Sequence, residues 1–330
     1  LRRGVRGGAP GGPGAARGTV EGRVGDSCPQ GPPAPEPGAA PGPVSEPEPV
    51  PGSVPGLGPV PAPVPAPEPG SGSEPGSEPG PAPGTVVTVW PDTFTEYLAP
   101  EAGHAAVRVL RAAGLETVLP AGRVCCGLTY ISTGRLDRAR RVLRRTLDAV
   151  GTPQGPVTVL EPSCAAALRT DLPALLPEDP RAHRLAAAVR TFAETLEEYA
   201  PHWQPPRLDR PVAGQTHCHQ HAVLGDAPDR RLRERAGLTG VLSGGCCGLA
   251  GNFGFEPGHH EVSVACAEEQ LLPSLRTAGP GTEVLADGFS CRTQIAQLGG
   301  ARARHLAEVL AEGLPGTAPR PPADRDVHRM

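Results

Sequence analysis

The chain contains no lysine, a single methionine and only 3% aromatic residues. It has no run of about 18 apolar residues, which argues against a transmembrane segment, and its first residues, LRRGVRGGAPGG, lack the apolar stretch of a signal peptide. The basic residues are all arginine and are interspersed with acidic ones, so the formal charge of −4 predicts no nucleic-acid surface. We expect a cytoplasmic protein, and peripheral association with the cytoplasmic face of a membrane stays open.

Proline and glycine, 44 residues of each, are concentrated in the first quarter of the chain. Residues 1–84 have almost no aromatic or long aliphatic side chains that could be buried, as in PVPAPVPAPEPGSGSEPGSEPG. Such a segment cannot offset the entropy that ordering would cost. We therefore predict a disordered leader over 1–84, a short disordered tail over 316–330, and an ordered region between them.

The ordered region reads as two α/β halves, residues 85–205 and residues 206–315. In the first half the pattern predicts strands at 85–89, 117–120 and 156–160, with helices over 100–113 and 136–150. In the second half it predicts strands at 211–216, 240–243 and 282–286, with a helical RRLRERAG stretch and a long helix over 260–278. This order predicts two tandem Rossmann-like βαβ units related by an internal repeat.

Seven of the nine cysteines lie in two similar settings, one in each half. Cys125 and Cys126 correspond to Cys246 and Cys247, and Cys164 corresponds to Cys291. A leading position is filled by Asp92 in the first half and by Cys218 in the second. Because each follows a predicted strand, all should meet at the carboxyl edges of parallel sheets, where open α/β folds bind ligands.

The clustered thiols admit three chemistries. Zinc could take Cys218, Cys246, Cys247 and Cys291 as tetrahedral ligands, although no Cys-x-x-Cys pair occurs. Adjacent cysteines with distant partners suit an iron–sulfur cluster better, since neighbouring thiolates can reach different irons. A redox-active dithiol is the third reading.

Glycines and histidines flank these cysteines. Gly127, Gly245 and Gly248 would let the backbone approach closely and donate N–H groups to sulfur. His217 and His219 could ligate the metal, hydrogen-bond a sulfur, or only order the loop.

The two CCG turns, each followed by a strand that leads to a single cysteine, resemble the cysteine-rich CCG domain. That domain occurs in the iron–sulfur subunit of glycolate oxidase, in a cluster-binding subunit of heterodisulfide reductase and in related lactate-utilisation and glycerol-3-phosphate dehydrogenase subunits. The stretches CCGLTYISTG, THCHQHAVLG and GCCGLAGNFGFE are similar to the C-terminal part of actinobacterial FAD-linked oxidases of the D-lactate dehydrogenase-like type.

This resemblance implies a [4Fe–4S]-type cluster on Cys218, Cys246, Cys247 and Cys291. In the first half Asp92 replaces the leading cysteine. The site there would be a cluster with Asp92 as a carboxylate ligand, a three-cysteine cluster on Cys125, Cys126 and Cys164, or no cluster. The family's terminal Cys-x-x-Cys is absent, because the corresponding stretches read CAAA and CRTQ.

The resemblance further implies an electron-transfer component of an FAD-dependent 2-hydroxyacid dehydrogenase, incomplete as a catalyst alone. FAD would be bound by a partner oxidase subunit, with a ferredoxin-like subunit as a further partner, and a quinone or another carrier would accept the electrons. The alternatives are a scaffold held together by zinc or a cluster, and a heterodisulfide-reductase-like protein whose cluster is itself catalytic.

Overall fold

The computed structural model describes residues 84–316 of the protein. The predicted leader and tail therefore lie outside the described residues, apart from Gly84 and Gly316. Between these two glycines, no helix combines the length and the apolar character that crossing a bilayer requires.

The first half is a four-stranded parallel sheet with helices on its faces. Its strands are β1 (Val86–Trp90), β2 (Glu116–Val118), β3 (Val157–Val159) and β4 (Val189–Thr191), in the order β2-β1-β3-β4. Its helices are α1 (Thr93–Tyr97), α2 (Pro100–Ala112), α3 (Leu128–Ile131), α4 (Leu136–Val150), α5 (Pro162–Arg169), α6 (Asp171–Leu175), α7 (Pro180–Ala188) and α8 (Phe192–Tyr199).

The second half has a three-stranded parallel sheet. Its strands are β5 (Arg210–Gln215), β6 (Leu238–Thr239) and β7 (Glu283–Ala286), in the order β6-β5-β7. Its helices are α9 (Ala227–Arg235), α10 (His260–Glu269), α11 (Leu271–Arg276), α12 (Phe289–Gly299) and α13 (Leu306–Glu312), with a π-helical turn at Gln220–Leu224 and a 3₁₀ turn at Phe253–Phe255.

The two sheets have equivalent strand orders. An isolated parallel bridge between Leu285 and Arg304 adds a fourth backbone segment beside β7, in the place that β4 occupies beside β3. The α/β class with parallel sheets is thus confirmed. The internal repeat as an origin of the two halves, and their boundaries, stay predictions.

Two expectations about individual elements were wrong. The long helix expected over 260–278 is two helices, because Gln270 leaves helical geometry at φ −140°. Pro273 lacks the N–H that would continue the ladder to Glu269, which fits a first-turn position in a new helix. The second half's middle strand lies at Leu238–Thr239, and of the predicted 240–243 segment Ser243 makes a single bridge to Gln215.

The halves share one hydrophobic core. It joins Val87 and Leu110 of the first half to Leu232, Leu285 and Leu310 of the second, each at most 3% exposed. Helix α13 packs against α2, and Arg108 of α2 donates a hydrogen bond to the backbone oxygen of Ala311. This common core fixes the carboxyl edges of the two sheets in one arrangement.

Candidate metal centre

The first thiol set comprises Cys125, Cys126 and Cys164. The Cys126 and Cys164 sulfurs lie 3.1 Å apart and both side chains are buried. The Cys125 N–H donates to the hydroxyl of Thr146, and that hydroxyl donates to the Cys125 backbone oxygen. Helix α4 therefore holds the CCG loop in place through both backbone polar groups of Cys125.

Asp92, which stands beside this set, caps helix α1. Its Oδ1 accepts the N–H groups of Phe94 at 2.9 Å and Thr95 at 3.0 Å, and its Oδ2 accepts the Thr95 hydroxyl at 2.5 Å. The carboxylate is 3% exposed. Its oxygens are therefore already hydrogen-bonded, and ligation of a metal would compete with the cap.

The second thiol set comprises Cys218, Cys246, Cys247 and Cys291. Cys218 follows β5, the adjacent pair follows β6, and Cys291 lies in the first turn of α12 after β7. Cys218 interacts electrostatically with Cys246 and Cys291, and Cys247 with Cys246 and Cys291. The sequence-predicted set is thus brought together from three separate loops, with every thiol free of a disulfide.

A glycine N–H points at the first sulfur of each adjacent pair. Gly127 donates to the Cys125 sulfur at 3.4 Å, and Gly248 donates to the Cys246 sulfur at 3.3 Å. Both glycines have left-handed backbone, with φ of 78° and 86°. At Gly245, expected to act in the same way, a Cβ would lie 3.4 Å from the side chain of Gln270.

The thiols of the second set have strongly divided proton affinities. Hydrogen bonding from Cys218 and Cys247, together with the Gly248 N–H, holds the pKa of Cys246 far below its ordinary value. The neighbouring Cys246 sulfur and burial raise the pKa of Cys218, and Cys246, Cys291 and burial raise that of Cys247. The surroundings therefore favour the thiolate form at Cys246 and the protonated form at Cys218 and Cys247.

The first set lies in a more uniformly unfavourable environment for negative charge. The Cys126 thiol and burial raise the pKa of Cys125. Cys125 lowers the pKa of Cys126, but Cys164 and burial outweigh it and raise that pKa well above its usual range. Cys126 likewise lowers the pKa of Cys164, which burial and the carboxylates of Asp92 and Glu161 raise. Burial is also the main cause of the raised pKa of Asp92.

The two histidines have different positions. His217 is 6% exposed, and its Nδ1 accepts the His219 N–H at 3.1 Å, which leaves the proton on Nε2. Burial lowers the pKa of His217, against the opposing effect of Glu161. His219 Nδ1 lies 3.8 Å from the Cys218 sulfur, within reach of an N–H to sulfur contact.

The donor atoms of the second set are arranged in two ways. Among residues 84–316, ligand atoms of His217, Cys218 and His219 all lie within 4.8 Å of one another, as one metal ion would require. The cysteines are linked pairwise, because Cys246 is hydrogen-bonded to Cys218 and Cys247, and Cys247 is hydrogen-bonded to Cys291. Four thiols linked in this way fit a multinuclear cluster, in which neighbouring thiolates can reach different irons.

Sequence reasoning missed Glu161, which connects the two sets. Its Oε1 accepts the Ser163 hydroxyl at 2.8 Å, its Oε2 accepts the Phe289 N–H at 2.8 Å, and His217 Nε2 lies 3.7 Å from Oε1. The signal was available as an acidic residue directly before Pro162, a typical start of a helix. Its contacts in the other half depend on tertiary structure and have no local signal.

Comparison with known proteins places the first thiol set in a described domain. Residues 90–169 match the model of the "Cysteine-rich domain" family CCG. This match includes Asp92, Cys125, Cys126 and Cys164, and the second thiol set lies beyond it.

Three relatives match a longer part of the chain. A subunit of the anaerobic glycerol-3-phosphate dehydrogenase of Escherichia coli (strain K12) is 29% identical over 229 residues, 67% of this chain and 57% of that protein. D-2-hydroxyglutarate dehydrogenase of the same strain is 28% identical over 242 residues, 68% of this chain and 22% of that protein. Lactate utilization protein A of Exiguobacterium sp. (strain ATCC BAA-1283 / AT1b) is 26% identical over 248 residues, 69% of this chain and 98% of that protein.

The matched region thus spans little more than half of the glycerol-3-phosphate dehydrogenase subunit and nearly all of the lactate utilization protein. Residues 90–169 therefore match the cysteine-rich CCG domain, and the chain is similar to proteins named for the use of lactate, glycerol 3-phosphate and 2-hydroxyglutarate.

Proposed function

We propose that this protein is the iron–sulfur electron-transfer component of a flavin-dependent dehydrogenase that acts on a 2-hydroxyacid or a related hydroxylated metabolite. The second thiol set would hold a [4Fe–4S]-type cluster through Cys218, Cys246, Cys247 and Cys291. The observation that carries this proposal is the convergence of these four reduced cysteines from three strand ends.

The donor chemistry supports the cluster. Cysteine thiolates are the usual ligands of iron–sulfur clusters, and the low pKa of Cys246 supplies one thiolate before any metal arrives. A bound cation would favour deprotonation of Cys218 and Cys247, whose pKa values are raised by burial and by the neighbouring thiols.

The residues around the set would orient and tune it. A cluster in this place would accept and release one electron at a time. The Gly248 N–H directed at the Cys246 sulfur would stabilise negative charge there, and the burial of Cys247 and Cys291, at 4% and 1% exposure, would exclude water. His219 would donate to the Cys218 sulfur from its Nδ1, since that atom lies 3.8 Å away.

The substrate chemistry would take place on a partner. The names of the relatives describe dehydrogenases and lactate utilization, and one of them is a subunit of a larger enzyme. We assign FAD to a partner oxidase subunit, with a ferredoxin-like subunit between the flavin and this chain and a quinone or other carrier beyond it. The complex would be cytoplasmic, or peripheral on the cytoplasmic face of the membrane.

The first thiol set would be a weaker metal site of the same origin. The equivalent strand orders of the two sheets support an internal repeat, and the CCG turns correspond within it. Cys125, Cys126 and Cys164 would supply three thiolates, and Asp92 could join them only by giving up hydrogen bonds to helix α1.

The test is reduction of the anaerobically purified protein by its proposed donors. The protein would be mixed with an FAD-binding oxidase subunit encoded beside it and with D-lactate, glycerol 3-phosphate or D-2-hydroxyglutarate in turn. We expect bleaching of visible iron–sulfur absorption with one of these substrates, only when the flavoprotein is present. Iron-loaded protein that none of the three reduces would overturn the electron-transfer role, and colourless protein with one zinc would support the scaffold alternative.

A second measurement on the same protein tests the heterodisulfide-reductase-like alternative. Chemically reduced protein would be mixed with an organic disulfide. Stoichiometric formation of free thiols, without turnover of any hydroxyacid, would replace our proposal with a catalytic cluster.

A further inference from the structure

The elements that carry the two thiol sets contact each other, and the buried carboxylate of Glu161 is hydrogen-bonded to both sides. Glu161 ends the loop after β3 and caps α5, the helix that carries Cys164 in its first turn. It is 4% exposed, so its charge is screened little by water. This cap belongs entirely to the first half.

The other oxygen of Glu161 binds the second half. Oε2 accepts the N–H of Phe289, the first residue of α12, which carries Cys291 two residues later. Backbone N–H groups at the start of a helix have no partner inside it, so this bond satisfies a group that would otherwise need water. The same side chain therefore accepts hydrogen bonds at the N-termini of two helices, one from each thiol set.

Glu161 also lies near His217, in the loop after β5 that carries Cys218. The Nε2 of His217, which carries the proton because Nδ1 accepts the His219 N–H, lies 3.7 Å from Glu161 Oε1. The imidazole lies directly against the backbone of Gly288, where a Cβ would overlap it. Glu161 thus faces the residue before Cys218 as well as the helix of Cys291.

An aromatic pair supports the same junction. The rings of Phe94, two residues after Asp92, and Phe289, two residues before Cys291, stack with centroids 4.6 Å apart and an interplanar angle of 8°. The polar contact joins the loop before α5 to Phe289, and the aromatic contact joins α1 to the same residue. Small displacements on one side would therefore be transmitted to the other.

We propose that Glu161 is a positioning residue that fixes the two thiol sets against each other, so that the geometry of the second set depends on a side chain of the first half. The expected effect on the spectrum of a cluster rests on the proposed function. The expected effect on the structure around Phe289 rests on the fold alone. Glu161 touches no reacting atom and acts through α12 and His217.

A matched control exists in the same half. Asp179 also caps a helix that begins with proline, α7, and its Oδ1 accepts the Arg181 N–H at 3.0 Å. Among the described residues, the hydrogen bonds and the ion pair of its side chain are made with Arg181, in the same helix. Asp179→Ala therefore removes a comparable cap without the junction.

The test compares Glu161→Ala, Glu161→Gln and Asp179→Ala by two measurements. Hydrogen exchange of the peptide containing Phe289 is followed in metal-free protein, and the electron paramagnetic resonance spectrum of the reduced cluster is recorded in loaded protein. In Glu161→Ala we expect exchange at Phe289 to become roughly tenfold faster, because a hydrogen bond to a charged group is lost. We also expect an altered spectrum or a loss of iron from the second set.

Glu161→Gln should rescue the exchange, since its amide oxygen still accepts the Phe289 N–H, and Asp179→Ala should leave both measurements unchanged. If Glu161→Ala behaves like Asp179→Ala in both, the proposal is overturned. Wild-type protein that holds no iron, combined with faster exchange in Glu161→Ala, would reject the proposed function and keep Glu161 as the link between the loops.

Discussion

The two thiol sets have similar positions in their sheets but different surroundings. In the second set the leading residue is Cys218, between two histidines, and four thiols converge. In the first set the leading residue is Asp92, and its oxygens hold the start of α1. The comparison therefore contrasts a thiol that lies among other thiols with a carboxylate whose oxygens are hydrogen-bonded to a helix start.

The backbone at the two CCG turns shows the same contrast. Gly127 has room for a Cβ, which would meet only the Leu143 and Ala139 side chains at ordinary distances, whereas at Gly248 a Cβ would overlap the backbone oxygen of Ser263. The second turn is therefore packed more tightly against its neighbouring helix. Tight packing of this kind is expected where a ligand site must keep its geometry.

Loss of a thiol should have the largest effect, and a different one in each set. Cys247→Ser should remove nearly all cluster iron, because Cys247 is a proposed ligand buried to 4% exposure. Cys126→Ser should leave most of it, since Cys126 belongs to the first set. Iron analysis and visible absorption of anaerobically purified variants measure this, with Cys266→Ser, on α10, as the control. Equal losses from Cys247→Ser and Cys126→Ser would contradict the separation of the sets.

The glycine pair offers the second test. Gly127→Ala should destabilise the protein by about 1–2 kcal/mol, the cost of a left-handed backbone for an L residue. Gly248→Ala should cost clearly more, because the left-handed backbone is combined with a clash against Ser263. Urea unfolding of the metal-free proteins gives both values. A smaller loss for Gly248→Ala than for Gly127→Ala would show that the second turn is less constrained than the structure indicates.

Restoring the leading cysteine should make the first set resemble the second. Asp92→Cys adds a fourth thiol and removes a cap worth about 1 kcal/mol. We expect iron content to rise above that of the wild type, with a modest loss of stability. Asp92→Asn, which keeps an acceptor for the α1 N–H groups, is the control and should leave iron unchanged. No gain in iron from Asp92→Cys would mean that more than the fourth ligand distinguishes the two sets.

The smallest effect concerns buried aspartates, one in each half. Burial, followed by the nearby Asp287, raises the pKa of Asp229 well above its usual value, against the effect of Arg233. A carboxyl whose folded pKa is raised binds its proton more tightly when folded, so stability falls as pH rises above the unfolded value of 3.8. Asp229→Asn should therefore raise the unfolding temperature at pH 7 by about 2–4 °C and have little effect near pH 4.

Asp92→Asn should raise the unfolding temperature at pH 7 by less than Asp229→Asn does. Desolvation raises its pKa as well, but the hydrogen bonds from Thr95 and Phe94 oppose that rise. Unfolding temperatures of the two Asn variants at pH 4, 5.5 and 7 test the difference. A larger gain at pH 7 from Asp92→Asn than from Asp229→Asn would contradict this ordering.

Much of the fold could be predicted from local pattern. Strands such as Val86–Trp90 and Glu283–Ala286 and the helix Leu136–Val150 show clear periodicity, and glycine–cysteine turns after strands indicated the sheet edge that collects the thiols. Strand β4 was missed, because the three residues Val189–Thr191 lie between two helices and present no alternation of their own.

The sequence indicated which cysteines come together, but it gave no indication of the contacts that link the two sets. The two cysteine sets follow from matching positions along the chain. The bonds of Glu161 to Phe289 and its proximity to His217 join residues 128 and 56 positions apart, and they depend on how the halves pack. The cap made by Asp92 was also not predicted, because aligning the two halves showed Asp92 only as the counterpart of Cys218.

The most direct test of the proposed cluster is the iron, acid-labile sulfide and zinc content of anaerobically purified protein. We expect about four irons and about four sulfides per chain, the content of one [4Fe–4S] cluster on the second set. About one zinc per chain without sulfide, or iron that Cys247→Ser leaves in place, would contradict it.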